Sequence, residues 1–477
     1  MDRVWNNFIA GADAEPASGT YTDSFDPTIG APFAKVADSR GEDVDRAVRS
    51  CSSAFAQWKA MRPLDRGRIL TDIGRAIRDR RDEFGAIERA ETGKPGWQLP
   101  FETEVAAQYF EFYGGLTNLF HGEVIGLGEG YHSYTLREPF GVVGVITPWN
   151  APLNQAARGI APALAAGNCV VSKPSEFTSG STVLLARIAV ECGMPAGVFN
   201  VVLGSGTEAG SALVSHPDIR KIAFTGSVRA GRAIAHIAAD RIIPLTLELG
   251  GKSPNIVFED ADLSAAIPGA IRAFAGNAGQ VCLAGSRLLV QRSIHAAFVE
   301  KLAAAVGQLK VGPDVDALMG PLTTKAQYDR VASFFDIARS EGLEPATGGS
   351  AVTREGWGGG WFLPPTVYGD VSNNSRLARE EIFGPVLVVI PFEDEDEAIA
   401  IANDTEYGLA AGIWTQSLSR AHRVSAAIQA GQIYVNEYMA GGVETPLGGY
   451  KNSGYGREKG IEALHHYTQL KCVTIKL

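Results

Sequence analysis

"IRKIAFTGSVRAG" occupies residues 219 to 231. Its first seven residues are a short, mostly apolar run, after which glycine opens a stretch with helical spacing. An apolar run of this length, cut by glycine and continued at three- and four-residue intervals, reads as a buried strand turning into a helix. Four similar runs surround it: GVVGVIT (141–147), GNCVVSK (167–173), GVFNVVL (197–203) and IPLTLEL (243–249). GSTVLLARIAVEC and RAGRAIAHIAA supply helical spacing between them. Such alternation predicts βαβ units and a parallel sheet, with ligands gathering at the carboxyl ends of the strands. A second alternating region runs from about Lys252 to Gly449 and contains RLLVQ, HAAFVEKLAAAVGQL, PVLVVIPF, DEAIAIANDT and AGQIYVNEY. The fold class is α/β.

The flanks are less regular. The first sixty or so residues read as loop-rich with short apolar runs. From Asp65 to about Glu91 the spacing predicts one amphipathic helix whose dense charge forms a solvated face, and a second helix lies around Glu104 to Tyr113. The tail YTQLKCVTIKL is a strand with nothing after it to pair with. Together with the hairpin expected around GEGYHSYTLREPF (128–140), it predicts strand pairing across a homo-oligomer, because an open edge invites aggregation.

At 477 residues, the chain has room for about three domains of roughly 150 residues. The 45% hydrophobic and 20% charged content is that of a globular protein with a large core. Acids and bases are interspersed, for a net charge of −10, which argues against nucleic-acid and anionic-membrane partners. No basic-then-apolar leader and no run near the ~20 apolar residues of a span is present, so a soluble, cytoplasmic protein is expected. The five cysteines (51, 169, 192, 282 and 472) are odd in number and lack a CxxC pair, and the eight histidines lack an HExxH spacing. Neither a disulfide framework nor a metal site is expected.

Several short motifs carry chemistry, and each also has a plain structural reading. GSGTEAG (204–210) and GSVRAG (226–231) are tight turns or phosphate cradles, Ser227 standing at a helix N-terminus. SKPSE (172–176) puts Lys173 and Glu176 at a strand end, as a salt-bridged turn or as partners for ribose hydroxyls. LELGGKSP (247–254) places Glu248 at the end of an apolar strand, where desolvation raises a carboxyl toward a useful general base. ITPWNAP (146–152) ends in Asn150, whose amide can donate to a developing oxyanion. Cys282, in GNAGQVCLAGSR (276–287), sits among small residues; a lone cysteine is most often a buried hydrophobe.

Taken in order, with EEIFGPV (380–386) and PLGGYKNSGYGRE (446–458), these blocks resemble the NAD(P)-dependent aldehyde dehydrogenase superfamily from about Asp26 to Leu477. The resemblance implies a Rossmann-type dinucleotide-binding domain (1–117 and 141–250), an α/β catalytic domain (251–449) and a β-strand oligomerisation arm (118–140 and 450–477), assembled as a tetramer or dimer. It implies Cys282 as nucleophile, Glu248 as general base, and Asn150 with the Cys282 N–H as oxyanion donors. Lys173 and Glu176 would hold the adenosine ribose, Ser227 the pyrophosphate and Gly206 the adenine side. Glu381 would hold the nicotinamide ribose and Phe383 stand beside the nicotinamide, with Ile146, Thr147, Trp149 and Gly250 completing the cofactor cleft.

The implied cofactor is NAD, with NADP admitted, since a carboxylate at Glu176 would repel a 2′-phosphate. The implied partner is a small-molecule aldehyde, oxidised through a thiohemiacetal and a thioester. Glu248 favours hydrolysis over the alternative, a coenzyme A-acylating semialdehyde dehydrogenase, whose members generally lack that acid. In APLNQAARG (151–159) the small Ala151, with Gly441 and Gly442 of the facing loop EYMAGGVETP (437–446), suggests a roomy pocket. Asn154, Gln155 and Arg158 make its wall partly polar, and Arg158 either grips a substrate carboxylate or hydroxyl or pairs with a protein acid. An aromatic, cyclic or hydroxy- or carboxy-substituted aldehyde is expected.

Overall fold

A computed structural model of the protein describes residues 3–351 and 357–477. Five parallel strands form the centre of one sheet: Val142–Ile146, Cys169–Lys173, Phe199–Val201, Ile219–Thr225 and Leu245–Glu248. Across the sheet the order is Gly454–Tyr455, Leu245–Glu248, Ile219–Thr225, Val142–Ile146, Cys169–Lys173, Phe199–Val201, Asn7–Ile9 and Ala12–Ala14, with antiparallel pairing only at the two edges. Of the five parallel strands Val142–Ile146 comes first in the chain but lies in the middle, and the later ones are laid down on either side of it. The order therefore reverses between Val142–Ile146 and Ile219–Thr225, and a crevice opens at their carboxyl ends. Every residue of Val142–Ile146 and Cys169–Lys173 is buried, as a parallel sheet covered by helices on both faces requires.

A second sheet runs Pro345–Thr347, Thr366–Tyr368, Val386–Phe392, Arg287–Gln291, Pro254–Val257, Ala410–Trp414 and Gln432–Val435, parallel except at its first pair. Each sheet has its own apolar core, one built mainly from residues before Gly250 and the other from Ile256 to Tyr438. The connection from Pro254–Val257 to Arg287–Gln291 carries the helix Leu263–Ala275 and the turn that presents Cys282.

Three expectations need correction. The stretch from Asp65 to Glu91 is two helices, Pro63–Asp79 and Arg81–Thr92, broken at Arg80 (φ −106°, ψ 21°). Its acids are not all solvated: Glu88 and Glu91 are buried, and their carboxyl oxygens accept the N–H groups of Leu153 (2.7 Å) and Gly180 (2.8 Å), at the N-termini of two other helices. The first sixty residues are not loop-rich. They hold a small sheet, Arg3–Trp5, Tyr21–Asp26 and Ala31–Ala37, and the helix Gly41–Ala60, which buries Val44, Ala47, Val48, Cys51, Ala54 and Trp58 at helical spacing.

The tail does have a partner. Thr468–Lys476 pairs antiparallel with Tyr131–Pro139 of the same chain, from Thr468 opposite Pro139 to Lys476 opposite Tyr131, and Val124–Ile125 completes that sheet. Among the described residues, no helix is long and apolar enough to cross a membrane.

Candidate active site

The helix Leu263–Ala275 ends at Gly276, after which Asn277, Ala278 and Gly279 all take left-handed backbone angles (φ 51°, 53° and 73°). Two successive non-glycine residues in that region cost about 1–2 kcal/mol each. Side chains hold them there. The Asn277 amide donates to the Asn150 carbonyl (2.8 Å) and the Gln280 carbonyl (3.3 Å). The buried Gln280 amide donates back to the Asn277 carbonyl (2.9 Å), and its oxygen accepts from the Thr323 N–H (2.8 Å). Gly279 is needed for contact as well as for φ, since a Cβ there would lie 2.1 Å from the Gly384 carbonyl oxygen.

This turn delivers Cys282, half-buried. Burial pushes the thiol up to about 11; Arg158 pulls against this, and the carboxylates of Glu248 and Glu381 add to it. Asn150 lies just past the strand Val142–Ile146 and is buried. Its Nδ2 donates to the Gln280 carbonyl (2.8 Å), which commits one amide proton and leaves the other. The helix Pro152–Ala165 begins two residues later, its first N–H (Leu153) held by Glu88.

Glu248 closes the strand Leu245–Glu248, fully buried, with Oε1 lacking a hydrogen-bond partner among the described residues. Burial holds its carboxyl well above the ordinary range and the charge of Glu458 adds to this, while Arg158 and Arg457 oppose it. Arg158 is not a free arginine on the pocket wall. It is 6% exposed, its Nε forms an ion pair with Glu458, and its Nη2 donates to Thr225 Oγ1 (3.1 Å). A buried guanidinium without a partner would be costly, and Glu458 supplies the partner. Glu458 ends the block PLGGYKNSGYGRE, but nothing within that block points to Arg158, which it reaches from far along the chain.

The remaining cofactor candidates border the crevice where strand order reverses. Ile146 ends its strand; Thr147 follows, buried, its hydroxyl without a partner among the described residues. The Trp149 and Phe383 rings meet edge to face, with centroids 5.5 Å apart. Lys173 donates to the Gly204 carbonyl (2.8 Å) and lies 3.5 Å from Glu176, whose side chain is partly exposed. Ser227 caps the helix Val228–Ala239 by accepting from the Ala230 N–H, which leaves its own hydroxyl proton and the helix N-terminus available to an anion. A Cβ on Gly206 would face open space. One on Gly250 would strike the Glu381 carboxylate at 2.1 Å, and that carboxylate accepts the Gly251 N–H (3.0 Å). Burial raises Glu381 to about 7. A buried hydroxyl without a partner among the described residues, a carboxyl set against Gly250 and Gly251, an anion-ready helix end and a Lys–Glu pair fit a dinucleotide.

A model described as the aldehyde dehydrogenase family matches residues 14–473. The chain belongs to the aldehyde dehydrogenase family. A Burkholderia cenocepacia chain assigned to the aldehyde dehydrogenases is 42% identical over 99% of this chain and 97% of that one, with a TM-score of 0.97. An indole-3-acetaldehyde dehydrogenase solved with NAD+ is 39% identical over 100% and 97%, TM-score 0.97. PnpE of Pseudomonas sp. WBC-3, solved with nicotinamide adenine dinucleotide, is 40% identical over 100% and 98%, TM-score 0.97.

In this aldehyde dehydrogenase, Ala151 precedes the first turn of Pro152–Ala165 and Asn154 lies half-buried within it. Gly441 sits in an exposed loop with φ 101°. In the sequence Asn277 and Gln280 stand out only as parts of the block GNAGQVCLAGSR. Their order fits a turn, but that their amides reach Asn150 and Thr323 is visible only once the chain is folded.

Proposed function

We propose that this aldehyde dehydrogenase oxidises an aldehyde to a carboxylic acid with NAD, using Cys282, Asn150 and Glu248. The observation that carries this reading is the Gln280 carbonyl. It accepts from the Asn150 amide two residues before Cys282, which supports a proposed oxyanion donor tied to the turn of the proposed nucleophile. The Cys282 thiolate attacks the carbonyl carbon and forms the C–S bond. The oxyanion receives the free Asn150 N–H and the Cys282 N–H, each such donor being worth about 3 kcal/mol. NAD, when bound, supplies the acceptor for the hydride that leaves as the thiohemiacetal becomes a thioester. Glu248 then takes a proton from water, which attacks the thioester, releases the acid and returns the thiolate.

Lys173 and Glu176 would hold the adenosine ribose and Ser227 the pyrophosphate, with Gly206 toward the adenine. Glu381 would hold the nicotinamide ribose, and Ile146, Thr147, Trp149, Gly250 and Phe383 would line the cleft. Ala151, Asn154 and Gly441 give a roomy, partly polar pocket for an aromatic, cyclic or hydroxy- or carboxy-substituted aldehyde, and the likeness to an indole-3-acetaldehyde dehydrogenase supports an aromatic one. The free edge of Thr468–Lys476, with Leu470 and Ile475 exposed, supports a homo-oligomer through that strand.

The test follows reduced-nicotinamide absorbance with NAD or NADP and a panel of aliphatic, aromatic, hydroxylated and carboxylated aldehydes. Turnover that prefers NAD and vanishes in C282A is expected. Turnover that survives C282A would overturn the mechanism, and acyl-coenzyme A formed on adding coenzyme A would overturn hydrolysis.

A further inference from the structure

Tyr438 lies three residues beyond the strand Gln432–Val435, 6% exposed, and its hydroxyl donates to the Leu283 carbonyl (2.8 Å). Leu283 directly follows Cys282, so the carbonyl that Tyr438 holds lies one residue past the nucleophile. The ring is held from several directions. A Cβ on Gly285 would come within 2.9 Å of it and one on Gly412 within 2.6 Å, so two glycines open the slot it occupies. Tyr434 packs alongside with centroids 5.3 Å apart. The backbone around it is left-handed at Asn436 (φ 56°) and Met439 (φ 63°). Asn436 is locked by accepting from the Thr415 N–H (3.0 Å) and donating to the Thr415 carbonyl (2.9 Å). Burial holds the Tyr438 phenol far above its ordinary pKa, so it stays a neutral donor.

We propose that Tyr438 is a positioning residue for the nucleophile: its hydroxyl anchors the Leu283 carbonyl and thereby fixes the chain that carries Cys282. The same residue leads into the loop 439–446, so it ties the nucleophile's turn to the proposed pocket wall. The other charged or titratable groups acting on Cys282 are Arg158, Glu248, Glu381 and Tyr434. None of the three charged ones bonds the Leu283 carbonyl, and the Tyr434 hydroxyl is spent on Gln432 Oε1 (2.8 Å). The inference rests on Cys282 being the nucleophile, but its test uses neither aldehyde nor NAD, so the two readings fail separately.

The experiment measures iodoacetamide alkylation of Cys282 in the full chain from about pH 7 to 11, following the mass of the Cys282 peptide so that Cys472 and Cys192 do not contribute. In Y438F the midpoint should rise, and the rate at pH 8 should fall roughly five- to tenfold, because the chain loses the anchor that keeps the thiolate near Arg158. Y434F, which removes a hydroxyl from the neighbouring ring only, should leave the midpoint unmoved. Tyr438 replaced by 3-fluorotyrosine keeps the shape with a stronger donor, and should lower the midpoint; it decides the matter should Y438F not fold. An unmoved midpoint in Y438F, equal shifts in Y438F and Y434F, or a midpoint indifferent to fluorination would overturn the proposal.

Discussion

Glu458 closes a buried ion pair on Arg158 and, from the same position, raises the pKa of Glu248. One carboxylate thus neutralises a guanidinium and presses a proton onto the proposed base. In E458Q the negative charge is gone and the positive charge of Arg158 is uncompensated, and both changes favour ionised Glu248. The acid limb of the pH–rate profile should therefore move to lower pH, by about one unit. Breaking a buried pair on one side typically costs about 3–5 kcal/mol, so a thermal melt should show a clear loss. An acid limb that moved upward would contradict the charge arrangement.

Asn277 separates backbone strain from clamping. N277A keeps a non-glycine side chain at φ 51° but drops the amide that holds the Asn150 carbonyl. N277G drops the amide and relieves the strain. Both should lower kcat by about 10- to 100-fold, since a displaced oxyanion donor costs rate. N277A should also be less stable than N277G by about 1 kcal/mol. Steady-state rates and urea melts of the pair check this, and wild-type kcat in either variant would show that the clamp does not position Asn150.

The parallel core was legible because apolar runs such as IRKIAFT and GVVGVIT carry their own period and end in glycine or proline. The family was legible from the ordered blocks around Cys282, Glu248 and Asn150. What was hidden depends on contacts between distant parts of the chain. Glu88 and Glu91 look like solvent-facing charges on an amphipathic helix, and only the folded chain brings two helix N-termini onto them. Arg158 left two readings open, and the ion pair that the folded chain gives it with Glu458 comes from a residue far along the sequence. The tail looked unpaired because Tyr131–Pro139, its partner, lies so far upstream.

Glu176 sets the choice of dinucleotide if the crevice is used as proposed. It lies 3.5 Å from Lys173, just past the end of the strand Cys169–Lys173. In E176A the carboxylate that would repel a 2′-phosphate is gone while the buried lysine remains. The ratio of kcat/KM for NADP to that for NAD should rise about tenfold, which is about 1.4 kcal/mol. An unchanged ratio would place the adenosine ribose elsewhere.

Glu91 makes a prediction about stability instead of rate. Its Oε1 accepts the Gly180 N–H, its Oε2 has no partner among the described residues, and burial raises the carboxyl from 4.5 to about 8. Between those two values the folded chain keeps a proton that the unfolded chain has lost. Stability therefore falls as pH rises from about 4.5 and levels off above about 8. E91Q preserves an acceptor for Gly180 and cannot ionise. Near pH 5 it should match the wild type; at pH 8.5 it should be the more stable by on the order of 2–4 kcal/mol. Urea unfolding at pH 5, 7 and 8.5 measures the difference directly, since other buried carboxyls such as Glu88 titrate in both proteins. A deficit for E91Q that grew with pH would mean that Glu91 is ionised in the folded chain and caps the helix at Gly180 as a carboxylate.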